Sequence, residues 1–155
     1  MNNIDIRNEK IETLNELIAA TRDSAEFYDD VSTEAKNPQL QSLFTGIAQS
    51  KNNLVEAMSR EVRMDGATPE TDGTFRGTLH RLYGEVRGKM DDDDYGYVAQ
   101  LEASEDRLLH AFKDVLEDGD TPMQVKEAVR SHLPTVKQHH DTMRDRKWAM
   151  ESTRH

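Results

Sequence analysis

Cysteine is missing from all 155 residues, and with it go disulfides, thiolate metal sites and cysteine nucleophiles. Aromatic residues are scarce, with four Phe, four Tyr and a single Trp, so any core must be built mainly from aliphatic side chains. No apolar run approaches the roughly 20 residues that span a bilayer. The opening Met1-Asn2-Asn3-Ile4-Asp5 lacks the basic and apolar regions of a signal peptide, and a cytoplasmic protein is expected. Basic residues are outnumbered, 20 against 30 acidic ones, and the resulting net charge of −10 repels phosphate backbones and anionic headgroups. Nucleic acid and membranes are therefore excluded as expected partners. Also lacking are a Gly-x-Ser-x-Gly elbow, a phosphate-loop glycine pattern and any strand-period alternation that could carry either.

What the chain does have is helical periodicity. Hydrophobic residues make up only 35% of it, but they recur at spacings of three and four, which marks a folded helical chain rather than a disordered one. From about residue 4 to 36 the stripe reads Ile11, Leu14, Ile18, Thr21, Ala25, Tyr28, Ser32 and Ala35. Lys36-Asn37-Pro38 ends this helix, because Pro38 has no amide donor and disfavours the helical conformation at Asn37; Pro38 itself suits the first turn of a second helix. That helix carries Leu40, Phe44, Ile47, Lys51, Leu54, Met58 and either Glu61 or Val62, and ends at Asp65-Gly66. A third spans about Asp94 to Glu117 with Val98, Leu101, Glu105, Leu108, Phe112 and Val115. The fourth is expected to take Thr121 as cap and Pro122 as first residue, with a stripe of Val125, Val129, Leu133, Val136, His140, Met143, Lys147 and Met150. Pro134 lies inside it and predicts a kink.

Between the second and third helices, residues 66 to 94 read as a loop, one short helix with Phe75, Leu79, Leu82 and Val86, and a second loop. Gly77, Gly84 and Gly88 weaken that short helix by up to about 1 kcal/mol each. The segment is long enough to cross a bundle lengthwise, although a local return fits the sequence equally well. Four stripes on helices of roughly 24 to 32 residues bury one another only by packing around a common axis. The expected fold is all-α, a four-helix bundle forming one domain over residues 1–155.

Three polar residues fall on apolar stripes: Lys51, Glu105 and His140. Ile47 and Leu54 flank Lys51, and Leu101 and Leu108 flank Glu105, each at helical spacing. Unpaired charges in a bundle interior cost several kcal/mol, so the two are expected to pair, or the carboxylate to meet a metal cation. His139 lies about 100° round the helix from His140. A dimetal centre would need Glu-x-x-His on two helices, but no histidine has Glu three positions before it. A lysine at mid-bundle would also displace a cation. What remains is a single divalent ion, iron or zinc, held by Glu102, Glu105 and His140. Asp106, His110 and Asp114 stand at four-residue steps on what reads as a solvated face; the acidic run Asp91 to Asp94 suits a helix N-terminus. Trp148 lies opposite its helix's stripe, as an oligomer contact or a residue under the short helix.

Several motifs share one order with a known family. These are Leu14-Asn15-Glu16-Leu17-Ile18 with Asp23 and Tyr28, Asn37-Pro38 with Leu43-Phe44, Gly77-Thr78-Leu79-His80-Arg81, Glu102-Ala103-Ser104-Glu105-Asp106, and Val136-Lys137 followed by His140-Asp141. Together they resemble a bacterial four-helix-bundle family of unassigned function in the ferritin-like superfamily. This chain departs from that family at Tyr83, where Trp is usual, and at Ala103-Ser104, where Arg-Gly is common. The resemblance implies a ferritin-like bundle with no known catalytic activity to transfer, and it points to Glu105, His140 and His80 as positions to test.

Two function classes follow. A soluble, non-enzymatic bundle, self-associating or binding an unidentified protein partner or acting in stress physiology, fits the lack of a complete catalytic set. A metal-dependent oxidoreductase or iron-handling protein is the alternative, resting on the superfamily resemblance and on Glu102, Glu105 and His140.

Overall fold

The computed structural model describes residues 3–64 and 93–153. Four helices account for almost all of them: α1 (Asn3–Glu34), α2 (Pro38–Met64), α3 (Asp94–Glu117) and α4 (Met123–Thr153). Among the described residues there is no strand. The short helix expected between α2 and α3 falls outside the described residues, as does His80.

The turn between α1 and α2 forms as the Asn-Pro pair requires. Asn37 is the N-cap: its carbonyl accepts from the Gln41 amide at 3.0 Å and its side-chain oxygen accepts from the Gln39 amide at 2.8 Å. At α3 the cap is Asp93, whose carboxylate accepts from the Gly96 amide at 2.6 Å. α4 begins one residue later than the cap pattern suggests, with the Lys126 amide donating to the Pro122 carbonyl at 3.1 Å. It continues through Pro134 without a break in the helix.

Asp94 decides the topology. Its two carboxylate oxygens accept from the backbone amides of Lys36 (2.8 Å) and Asn37 (2.9 Å), pinning the start of α3 to the α1–α2 turn. From that turn α2 runs 27 residues, about 40 Å, to Met64. Met64 and Asp93 thus stand at opposite ends of the bundle, and the segment between them lies outside the described residues. α3 consequently runs in the same direction as α2, which lies diagonally across the core from it, and antiparallel to α1, against which it packs. α4 returns beside it, with the Tyr95 hydroxyl donating to Glu151 (2.9 Å) at the end where α3 starts.

The expected stripes of α2 and α3 bury almost entirely, whereas that of α4 leaves Leu133, His140, Lys147 and Met150 half-buried. Phe44, Met58 and Val62 of α2, Val98, Leu101, Leu108 and Phe112 of α3, and Val125, Val129, Val136 and Met143 of α4 are all fully enclosed. Val62 rather than Glu61 continues the α2 stripe. α1 buries far more than one stripe, taking in Leu17, Ala19, Ala20, Asp23, Ser24, Phe27 and Val31 as well. Ala19, Ala20, Ser24 and Ala25 take up little space on that wider face, and each fully enclosed Leu, Ile or Val side chain contributes about 1.5–3 kcal/mol.

Candidate functional site

Halfway along the bundle the apolar layers are interrupted by a polar one, to which every helix contributes. α2 brings Lys51 inward between Ile47 and Leu54, and α3 brings Glu105 inward between Leu101 and Leu108; both are 0% exposed. The Lys51 Nζ lies 2.5 Å from Glu105 Oε1, an ion pair rather than an aligned hydrogen bond. From α1, the Ser24 hydroxyl donates to the same Oε1 at 3.3 Å. The Tyr28 ring, also from α1, lies beneath the ammonium at 5.6 Å and presents its negative face to it. Tyr28 in turn meets Phe44 edge-on, with centroids 6.1 Å apart, which fixes the ring in place.

α4 contributes His139, not His140. The sequence stripe places His140 inside, but Val136 and Met143 allow either residue between them, and the helix turns so that the steps run three, then four. His139 is buried, and a 3.0 Å hydrogen bond joins its Nε2 to Ser50 Oγ. Burial, helped by the nearby Lys51 charge, pushes its pKa down to about 3, so it is neutral at neutral pH. His140 sits at the rim instead, with Nδ1 3.0 Å from Asp141 Oδ1 and Nε2 3.4 Å from Asp106 Oδ1. The His140 bond holds the Asp141 carboxyl below its ordinary value, aided by Lys137 and Arg144.

The trio of Glu102, Glu105 and His140 therefore does not come together. Glu102 turns toward Lys147 (3.8 Å) at the half-exposed margin, Glu105 turns inward to Lys51, and His140 turns to two aspartates. Among the described residues no group of three or more His, Asp and Glu could hold a metal ion. A metal centre in a ferritin-like bundle draws its ligands inward from all four helices. Here that position is filled by an ammonium, which has no lone pair for a metal and repels one. The residues present do not fit such a centre. Asp106, His110 and Asp114 lie on an exposed face, where His110 Nδ1 donates to the Asp106 carbonyl at 2.8 Å.

Asp23 is buried one residue before Ser24. Ser24, Ser50 and Tyr28 are members of the layer that polar-on-stripe reasoning passes over. Tyr28 was legible as a stripe residue but not as a cation's partner, and Ser24 carried no signal in the sequence. Chemically the layer is closed: Lys51, Glu105, Ser24 and Tyr28 have no exposure, so no substrate in solution meets them. What the arrangement does is neutralise a buried carboxylate and tie α1, α2 and α3 through it. His139 adds the tie from α4 to α2.

Known proteins share this architecture. A point mutant of Dps1 from Mycobacterium smegmatis superposes with a TM-score of 0.78 at 10% identity, covering 95% of this chain and 99% of that one. A dodecameric thioferritin, the bacterioferritin-related protein from Bacteroides fragilis, gives 0.74 at 13% identity, covering 96% and 89%. At such identities the likeness shows the fold, a ferritin-like four-helix bundle. Among curated proteins none matches the chain. The family described as a domain of unknown function, DUF2383, matches residues 9–118, which include α3 and all but the start of α1, and the chain belongs to that family.

Proposed function

We propose that this protein is a non-enzymatic ferritin-like bundle that acts through its surface, by self-association or by binding a protein partner in the cytoplasm, and not through metal chemistry at its centre. The observation that carries this is the Lys51–Glu105 pair, since the carboxylate best placed to hold an ion is already neutralised by a side chain. Self-association draws support from the B. fragilis neighbour, which is dodecameric. It is also consistent with Trp148 at 59% exposure, an unusual position for a large aromatic side chain. The net charge of −10 argues against nucleic acid as the partner.

Iron handling is the second candidate, favoured by the likeness to a thioferritin. One experiment separates the two. Protein purified without chelator is analysed for metal, then exposed to ferrous iron in air while near-ultraviolet absorbance and sedimentation are followed. Surface action predicts substoichiometric metal, no oxo-bridged iron absorbance above a protein-free control, and sedimentation beyond the monomer or with a captured partner. Stoichiometric iron with that absorbance would reverse the conclusion.

A further inference from the structure

The layer around Lys51 has the parts of a cation site with the cation attached to the chain. An interior carboxylate requires a positive charge within a few ångströms, and either an ammonium or a metal ion can supply it. Here the ammonium meets one oxygen of Glu105, with the Ser24 hydroxyl on that oxygen and the Tyr28 ring beneath. The second oxygen, Oε2, is buried and has no hydrogen-bond partner among the described residues. The same holds for Nδ1 of His139, the residue that α4 contributes to this layer. A carboxylate and an imidazole, one from each helix of the α3–α4 pair, each retain an unused polar atom in a layer whose charge is set by lysine. Carboxylate oxygen and imidazole nitrogen are ligands that zinc and cobalt accept together.

We infer that Lys51 is a tethered substitute for a metal ion, and that removing its ammonium converts Glu105 and His139 into a binding site for one divalent transition-metal ion. Truncation of lysine to alanine removes the charge and leaves room for the waters that would complete the coordination shell. Glu105 is left without its counter-ion in a closed interior, which makes cation uptake favourable. The inference rests on the wild-type centre being free of metal, as proposed above.

The test uses the full chain carrying Lys51→Ala, freed of metal and titrated with cobalt(II), with thermal midpoint and visible ligand-field absorption as readouts. The midpoint of the variant should rise and its absorption saturate at one ion per chain, whereas the wild type responds in neither. Adding Glu105→Gln, or His139→Ala, to Lys51→Ala should weaken cobalt binding by about tenfold or more. If Lys51→Ala folds only when cobalt is present, the inference is supported in its strongest form. Lys51→His, which places a third ligand at the same position, is the second variant. The inference is overturned if neither variant responds to cobalt, if neither folds with or without it, or if the response survives loss of Glu105. A wild type that itself takes up cobalt through Glu105 overturns instead the proposal that its centre is metal-free.

Discussion

At the scale of single residues, Lys51 and Glu105 are each a liability alone and tolerable together. Both are fully enclosed, so removing one leaves an uncompensated charge in a medium that solvates it poorly. Lys51→Met should therefore destabilise the bundle by about 3–5 kcal/mol, and Lys51→Met with Glu105→Leu should recover most of that loss. Urea midpoints of the wild type, both single variants and the double variant close the cycle, and a coupling near zero would remove the pair from the account of stability. His139 makes a separate prediction through pH. Its folded pKa of about 3 lies below the ordinary 6.5, so above 6.5 it is neutral whether folded or unfolded and its contribution is complete. Below 6.5 the unfolded chain takes up a proton that the folded chain refuses, and stability falls by about 1.4 kcal/mol per pH unit until about 3. His139→Gln, which can keep the bond to Ser50, should lose about 2 kcal/mol less than the wild type between pH 6.5 and pH 5. Parallel stability curves for the two proteins over that interval would contradict a buried neutral histidine.

At the scale of elements, much was written in the sequence because helices signal their own ends. Asn37-Pro38 and the acidic run before α3 give their caps directly, and period-3.6 spacing brings Lys51 and Glu105 inside because both have apolar neighbours three and four residues away. The histidine choice was not legible. Two adjacent residues, His139 and His140, each satisfy the spacing from Val136 to Met143, and only packing against α2, where Ser50 waits, selects one. Nor was it legible that α2 ends and α3 begins at opposite ends of the bundle, since that depends on where Asp94 docks, and docking is a long-range contact that leaves no periodic trace. That contact can be tested. Asp94→Ala removes two charge-assisted acceptors from the α1–α2 turn and should cost about 1–2 kcal/mol, reduced from the buried case by solvent exposure. Its local signature is faster hydrogen exchange at the Lys36 and Asn37 amides with little change in the middle of α2. Uniform acceleration along the chain would mean that the anchor serves global stability alone.

At the scale of the whole molecule, the bundle is two antiparallel hairpins, α1–α2 and α3–α4, and a series of polar contacts crosses the seam between them. Asp94 stitches one end, the Lys51, Glu105, Ser24, Ser50 and His139 layer stitches the middle, and His132 to Glu61 (3.1 Å) stitches toward the other end. Apolar layers alone would tolerate sliding of one hairpin along the other, whereas these contacts are satisfied in one register only. The function proposed above falls on the outside of the bundle, and there Trp148 is a built-in reporter because it is the chain's only tryptophan. It stands 59% exposed on α4 with the Arg144 guanidinium 5.0 Å from its ring, a pairing of the two residue types most often found at the energetic centre of interfaces. If the protein self-associates through this face, dilution should shift Trp148 emission to the red and raise its quenching by acrylamide, in step with the loss of assembly seen by sedimentation. Trp148→Ser should then weaken assembly while leaving helix content unchanged. Assembly that persists with Trp148 still fully quenchable would assign the contact to another face, and a monomer at every concentration would leave a different protein as the partner to be sought.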